Sequence, residues 1–214
     1  VGLLIHARKK IKIIGDKSLS KRDFYRVTKP LEKFGAKFKT NNGKLPITIE
    51  GTTNPKSINY NESKGSAQCK SAIMLAGLNT KGITSIKAKK SRNHSELLFK
   101  NLKIPIKIIK KKNYDFIKIN GLKKIKPFNY KIPSDISSSS FFIVLAALSK
   151  KSKLLIKNVN INPTRVGVVK ILKMMGVKII FKNTRIYKGE KIADIVVKSV
   201  KSLKPINCPS NLNS

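Results

Sequence analysis

The feature of this chain that most constrains its fold is an internal repeat of mixed helix and strand patterns. Three segments each begin with Ser or Asn residues, reach an arginine, and continue through an amphipathic helix pattern, a turn and two strand patterns. The arginines are Arg22, Arg92 and Arg165, which lie 70 and 73 residues apart. A repeat of this length exceeds the roughly 20 to 50 residues of solenoid repeats. It is long enough to form a small α/β subdomain by itself.

A second repeated pattern lies between these segments. Its two copies each have a small polar start, an apolar helix pattern, a basic turn and a strand pattern, with Ser66 and Ser138 matched at a spacing of 72 residues. The helix after Ser66 is apolar almost all round, so we expect it to be buried. The longest apolar run, residues 141–148, has the length of a buried strand or helix segment. Strands such as residues 44–51 alternate apolar and polar side chains, which predicts sheets with one solvated face.

Composition narrows the classes of function. The 214 residues carry 47 basic and 10 acidic side chains, a formal net charge of +37. The basic residues are spread along the chain, Lys, Ile and Asn share A/T-rich codons, and Trp is absent. Codon usage, together with binding of small anionic substrates, therefore explains the positive charge better than a nucleic-acid partner does. Proteins that bind single-stranded nucleic acid usually stack bases on aromatic side chains, which are few here. No apolar run reaches the roughly 18 residues of a membrane span, so no membrane segment is predicted.

Cysteine and histidine usage predicts neither a disulfide nor a metal site. Cys69 and Cys208 are far apart and lack metal-ligand spacing, and His6 and His94 are isolated. Two reduced thiols are typical of a cytosolic protein.

Capping residues predict where helices begin and end. Ser or Asn with an acidic residue three positions later resembles a capping box, Asn before Pro fits an N-cap, and Gly marks helix ends. The predicted boundaries are Ser20 with Asp23, Asn93 with Glu96, Asn162 with Pro163, Gly35 and Gly176. Pro30 falls inside the first amphipathic pattern and is expected to kink that helix.

The three repeated arginines lie within a turn of predicted helix starts. Free backbone N–H groups and the helix dipole favour anions at such places, and a guanidinium binds phosphate or carboxylate through two parallel hydrogen bonds. One such arginine is most often a solvated surface charge. Its recurrence in all three repeats favours anion binding, with a packing role as the alternative.

Six motifs, in order along the chain, resemble those of the EPSP synthase (3-phosphoshikimate 1-carboxyvinyltransferase) family. They are "GDKSLSKRDF", "GSAQCKSAIMLAGLNTKGIT", "SRNHSE", "IPSDISSSSFF", "NPTRVG" and "EKIADIVVKS". The similarity is to the bacterial class with Ser-Ala-Gln in its substrate loop. It implies an inside-out α/β barrel of the enolpyruvate transferase type, built from βαβαββ units. Residues 1–133 would form about two units of the first domain, and residues 134–214 the start of the second.

The resemblance also implies an activity. The family transfers the enolpyruvyl group of phosphoenolpyruvate to the 5-hydroxyl of shikimate 3-phosphate and releases phosphate, on the route to chorismate and the aromatic amino acids. It implies no cofactor, no metal, no nucleic-acid or membrane partner, a cytoplasmic location and a monomer. Both substrates are anionic, which suits cationic groups that hold the reacting atoms together and stabilise charge.

Matching the motifs residue by residue implies a set of substrate contacts. Arg22 matches the arginine that binds phosphoenolpyruvate. Ser66, Ala67 and Gln68 match the loop that binds shikimate 3-phosphate, with Gln68 also close to phosphoenolpyruvate. Arg92 matches a residue on the shikimate 3-phosphate side.

Other matched positions imply structural roles or depart from the family pattern. Asp135 and Arg165 match motifs at the domain crossing and at a helix start. Asp23 stands where the family has Pro, and Ser134 stands where it has Gly. The remaining family motifs, including the acid and base groups, would lie before the first residue or after the last. We therefore expect an internal fragment, inactive alone, with no catalytic residue to assign.

Two other functions remain as alternatives. A UDP-N-acetylglucosamine enolpyruvyl transferase shares the implied fold but needs a reactive Cys beside an Arg, whereas Cys69 follows Gln68 inside a predicted buried helix and Cys208 has no Arg nearby. A basic nucleic-acid-binding module would show affinity that falls steeply with salt.

Overall fold

The computed structural model describes residues 1–122, 125–209 and 212, and the chain divides into two compact units, Val1–Lys126 and Pro127–Ser214. Each unit has a hydrophobic core of its own.

The first unit alternates helices and strands. It contains a 3-10 helix (Gly2–His6), β1 (Ile11–Ile13), α1 (Lys17–Ser20), α2 (Tyr25–Glu32), β2 (Lys37–Asn41), β3 (Lys44–Glu50), β4 (Asn59–Glu62), α3 (Ala67–Leu78), β5 (Ile83–Lys89), α4 (His94–Asn101), β6 (Ile106–Lys110) and β7 (Tyr114–Asn120). One sheet has the order β1-β3-β2 and is antiparallel. The other has the order β4-β5-β7-β6, in which only the β4-β5 pair is parallel.

The second unit follows the same plan. It contains α5 (Ile136–Leu148), β8 (Lys153–Asn160), α6 (Gly167–Met174), β9 (Lys178–Tyr187) and β10 (Glu190–Lys198). The strands form an antiparallel sheet of order β8-β10-β9. Ser134 forms a parallel bridge to Val159 of β8, so it stands beside β8 as β4 stands beside β5. The run β4-α3-β5-α4-β6-β7 thus recurs as Ser134-α5-β8-α6-β9-β10, which confirms the predicted α/β repeat.

Helix α3 is buried, as its composition predicts. Ile73, Met74 and Ala76 are fully buried, and α3 packs against the 3-10 helix, α2, β5 and β7. The 3-10 helix approaches closely, because a Cβ on Gly2 would lie 2.2 Å from the carbonyl oxygen of Ala72. This packing holds the start of α3 in a fixed place within the first unit.

The boundary between the units lies nearer the start of the chain than the predicted domain boundary. The sequence predicts a boundary after residue 133, whereas the structure separates the chain after Lys126. Residues 127–133 belong with the second unit; for example, the Lys131 backbone N–H donates to the Tyr187 hydroxyl at 3.0 Å. The assignment of residues to two enolpyruvate transferase domains stays a prediction.

The predicted capping box at Ser20 is wrong, because two helices form where one was expected. Asp16 caps α1 by accepting the Leu19 N–H at 2.7 Å, and Ser20 ends that helix. Asp23 accepts the N–H of Tyr25 at 2.8 Å at the start of α2. Each short helix therefore has an acidic residue at its start.

Two further helix starts are only partly as predicted. Asn93 is the N-cap residue of α4, but within the described residues its side chain makes no capping hydrogen bond. Glu96 instead pairs with Lys70 at 2.6 Å. Asn162 accepts the N–H of Thr164 at 2.9 Å in a turn, and α6 begins only after that turn.

The helix ends agree better with the sequence. Gly35 and Gly176 follow the ends of α2 and α6 with φ angles of +104° and +95°, values that favour glycine. Pro30 lies inside α2, two residues before that helix ends. The start of α5 is capped by Asp135, whose carboxylate accepts the N–H groups of Ser137 and Ser138. Among the described helices, none combines the length and the apolar character needed to cross a membrane.

Candidate functional site

Three helix starts in the first unit open onto one pocket with a volume of about 460 Å³. Arg26 lies in the first turn of α2, Ala67 and Gln68 begin α3, and Arg92 immediately precedes the N-cap of α4. The rest of the lining consists of Val1, Gly2, Phe24, Val27, Ser71, Ala72, Leu75, His94 and Ser95. The starts of three helices and the guanidinium groups of Arg26 and Arg92 make this pocket suited to an anion.

The structure brings three of the five predicted substrate-binding residues together. Ala67, Gln68 and Arg92 all line the pocket. Ser66 lies beside it and caps α3. Arg22 is exposed in the turn between α1 and α2, outside the pocket.

Arg26 is the pocket arginine that the sequence did not predict. Its Nη2 donates to the Gln68 Oε1 at 2.7 Å, which joins α2 to the start of α3. The acceptor end of the Gln68 amide is therefore occupied, and its NH₂ group is the end suited to an anionic ligand. The only signal in the sequence was the position of Arg26 one helical turn after Arg22, a pattern that a solvated helix face shows equally well.

The loop before α3 is held by a buried carboxylate. Glu62, which is 4% exposed, accepts the N–H groups of Lys64 at 3.1 Å and Gly65 at 2.9 Å. Gly65 has φ of +71°, in the left-handed region where glycine is favoured. Ser66 then accepts the Cys69 N–H at 3.2 Å through its hydroxyl. These contacts fix the loop and the first turn of α3, where Ala67 and Gln68 line the pocket.

The setting of Cys69 disfavours the thiolate form of its side chain. Burial raises the pKa of Cys69 to about 11, and the negative charge of Glu62 adds to the increase against smaller opposite effects of Tyr60 and Arg26. A nucleophilic cysteine needs a lowered pKa. In the described ranges, no group of three or more His, Cys, Asp or Glu side chains is placed to hold a metal ion.

In the second unit, Asp135 and Arg165 form a polar cluster at the start of α5. Asp135 accepts the N–H groups of Ser137 at 3.2 Å and Ser138 at 3.1 Å. Arg165 contacts the Ser137 hydroxyl and lies 3.7 Å from the Asp135 carboxylate. Burial raises the pKa of Asp135, but these hydrogen bonds and the Arg165 charge outweigh it and hold the pKa below its ordinary value. The contacts fit the structural role implied for both residues.

Comparison with known proteins gives consistent results over the whole chain. The sequence profile of the EPSP synthase (3-phosphoshikimate 1-carboxyvinyltransferase) family matches residues 1–211. A 3-phosphoshikimate 1-carboxyvinyltransferase from Ruthia magnifica subsp. Calyptogena magnifica is 42% identical over 214 residues, which cover 100% of this chain and 48% of that protein. One from Endomicrobium trichonymphae is 43% identical over 187 residues, with coverage of 87% and 43%. The chain spans about half the length of the curated relatives it matches.

Solved structures share the fold. The EPSP synthase from Acinetobacter baumannii superposes with a TM-score of 0.80 at 38% identity, covering 99% of this chain and 47% of that one. The enolpyruvyl transferase NikO from Streptomyces tendae superposes with a TM-score of 0.63 at 13% identity, covering 95% of this chain and 47% of that one. The second likeness concerns the fold alone, and together they confirm the predicted enolpyruvate transferase fold.

Proposed function

This chain belongs to the EPSP synthase family, and from that premise we propose that the protein carrying it transfers the enolpyruvyl group of phosphoenolpyruvate to the 5-hydroxyl of shikimate 3-phosphate, with release of phosphate. The observation that carries the proposal is the pocket that Gln68, Arg92 and Arg26 line together. Both substrates are anions, and helix starts with guanidinium groups bind phosphate and carboxylate groups.

Within this proposal each predicted residue has a role. Gln68 and Arg92 bind shikimate 3-phosphate, with the start of α3 at Ser66 and Ala67 supplying backbone donors, and Gln68 also lies close to phosphoenolpyruvate. Arg22 binds phosphoenolpyruvate from the exposed turn before α2. We assign no general acid or base to this chain. These groups bind and orient the substrates, which lowers the barrier by bringing the reacting atoms together.

The alternative acceptor UDP-N-acetylglucosamine receives less support. The matching reaction needs a reactive thiol, and the pKa of Cys69 is raised by burial rather than lowered. The proposal further includes a cytoplasmic monomer that needs no cofactor. Among the described residues, Cys69 and Cys208 form no disulfide, which is in keeping with a reducing compartment.

Phosphate release by the complete protein that carries this chain tests the proposal. With phosphoenolpyruvate present, phosphate should appear when shikimate 3-phosphate is added. Neither shikimate nor UDP-N-acetylglucosamine should replace it. A folded protein that releases no phosphate with shikimate 3-phosphate would contradict the proposal, and release with UDP-N-acetylglucosamine would favour the alternative.

Two variants test the residue assignments. Arg22→Ala should raise the KM for phosphoenolpyruvate, and Arg92→Ala should raise the KM for shikimate 3-phosphate, each by about tenfold or more because a charge-assisted contact is lost. The reverse pattern of KM changes would show that the two arginines have been assigned to the wrong substrates.

A further inference from the structure

A buried lysine lies directly behind the pocket. Lys70 belongs to α3, two residues after Gln68, and its side chain is 2% exposed. Lysine is among the residues least often buried, because its charge loses hydration. The proposed reaction makes no use of this charge, so its burial calls for another explanation.

The contacts of Lys70 connect it to the pocket. Its Nζ lies 2.6 Å from the Oε1 of Glu96, whose side chain is 4% exposed. The same Nζ donates to the backbone carbonyl oxygen of Arg92 at 2.8 Å. Glu96 lies in the first turn of α4, where the helix dipole favours a carboxylate, and it supplies the counter-charge to Lys70. Lys70 thus ties α3 to the backbone of a pocket arginine.

A second contact supports the same connection. The hydroxyl groups of Ser71 and Ser95 are 2.6 Å apart, which joins the next residue of α3 to the first turn of α4. Gln68 and Lys70 share one turn of helix, so a fixed backbone at Arg92 also fixes the separation between Gln68 and Arg92.

We propose that Lys70 is a positioning residue that holds the backbone of Arg92 against α3, so that the Arg92 guanidinium and the Gln68 amide face one anionic ligand at a set separation. The ligand identity rests on the proposed function, in which it is shikimate 3-phosphate. Lys70 itself does not touch the ligand. It acts through Arg92.

The alternative is that the pair serves stability alone, and the two roles can be separated. A buried ion pair is often replaced by apolar residues of similar volume without loss of stability, whereas removal of one partner leaves an uncompensated charge. The double variant K70M/E96M therefore removes the tie to Arg92 while keeping the interior filled. The matched control is K10M, which removes the exposed pair between Lys10 and Glu50 at 3.5 Å.

Steady-state kinetics of the complete protein give the first readout. K70M/E96M should raise the KM for shikimate 3-phosphate about tenfold and change the KM for phosphoenolpyruvate less than about twofold, since a displaced binding group weakens one substrate. K10M should match the wild type. A folded K70M/E96M variant with the wild-type KM for shikimate 3-phosphate would overturn the proposal.

A double-mutant cycle separates action through Arg92 from a general loss of structure. In an R92A background, K70M/E96M should change the KM for shikimate 3-phosphate by less than about twofold, because the group being positioned is already absent. If K70M/E96M raises the KM for shikimate 3-phosphate by the same factor in the R92A background as in the wild type, the proposal is overturned. If K70M/E96M does not fold, K70Q/E96Q replaces it, because glutamine lacks the reach of lysine to the Arg92 carbonyl oxygen. K70Q/E96Q should then raise the KM for shikimate 3-phosphate as expected for K70M/E96M, and a wild-type KM in the folded variant would overturn the proposal.

Amide hydrogen exchange keeps this inference distinct from the proposed function. If the wild-type protein shows no phosphate release, the proposed function fails, and the positioning role is judged by exchange alone. Residues 91–95 should then exchange at least about tenfold faster in K70M/E96M than in the wild type, with β5 and β7 unchanged, because the opening is local. Unchanged exchange in residues 91–95 would overturn the positioning role.

Discussion

Helices α3 and α5 hold corresponding places in two repeats, yet the apolar side chains of α3 are covered far more fully than those of α5. Both are apolar nearly all round, and both begin with a capping side chain, from Ser66 and Asp135. In α3, Ile73 is 0% exposed and the remaining large apolar side chains are buried or half-buried. In α5, Phe141 is 77% exposed and Leu145 is 63% exposed. The apolar run that suggested a fully buried segment is therefore buried on one face only.

The difference comes from the neighbours and not from the helices. On α3, the 3-10 helix and α2 pack in addition to strands β5 and β7. On α5, the packing elements among the described residues are β8, β10 and α6. A helix with no polar face needs cover on every side. Because the chain spans about half the length of its curated relatives, we expect the exposed face of α5 to be covered in a protein of their length.

Shortening a buried side chain should have the largest effect. Ile73→Ala in α3 should lower the free energy of unfolding of the first unit by about 2 to 5 kcal/mol, through lost apolar contact and the cavity left behind. Ile143→Ala, at an equally buried position of α5, should lower that of the second unit by a similar amount. Urea unfolding followed by a probe in each unit measures both. A much smaller effect at Ile143 would show that α5 is loosely packed even on its buried face.

Removing the caps should have an intermediate effect. Ser66→Ala and Asp135→Ala should each lower the free energy of unfolding of their unit by about 1 kcal/mol, because a helix N–H loses its acceptor. The same urea titrations measure the change. A negligible loss at Asp135 would indicate that exposure of α5 already lets its first turn fray.

The sequence predicted the repeat, the fold class and the burial of α3 because each follows from patterns of neighbouring residues and their order along the chain. It could not predict that Arg26 lines the pocket, because an arginine on an amphipathic helix is usually exposed to solvent. The contact with Gln68 comes from a different helix, which the local sequence does not show. Nor could it predict the ion pair of Lys70 with Glu96, because burial of a charge depends on a partner from another element. The sequence also did not predict the exposed face of α5, because burial of a helix depends on which other elements pack against it.

Acid should weaken the start of α5 more than the start of α3. The hydrogen bonds from Ser137 and Ser138 hold the pKa of Asp135 below its ordinary value of 3.8. A carboxyl group whose pKa is lower in the folded state than in the unfolded state stabilises the folded protein at pH values above its unfolded-state pKa. This contribution is lost as the pH falls through the folded-state pKa. Ser66 does not titrate. The stability difference between the wild type and Asp135→Asn should therefore shrink below about pH 4, while the difference between the wild type and Ser66→Ala should stay constant.

The smallest effect is expected on the exposed face of α5. In this chain, Phe141→Ser should change the free energy of unfolding of the second unit by less than about 0.5 kcal/mol, because a side chain that is 77% exposed loses little contact. The variant should also bind less of a hydrophobic dye, since it removes part of an exposed apolar patch. In a protein of the relatives' full length, the same substitution should cost more than about 1 kcal/mol if another segment covers this face. An equally small effect there would mean that the exposed face of α5 belongs to the complete protein too, and that the two helices differ in role and not only in cover.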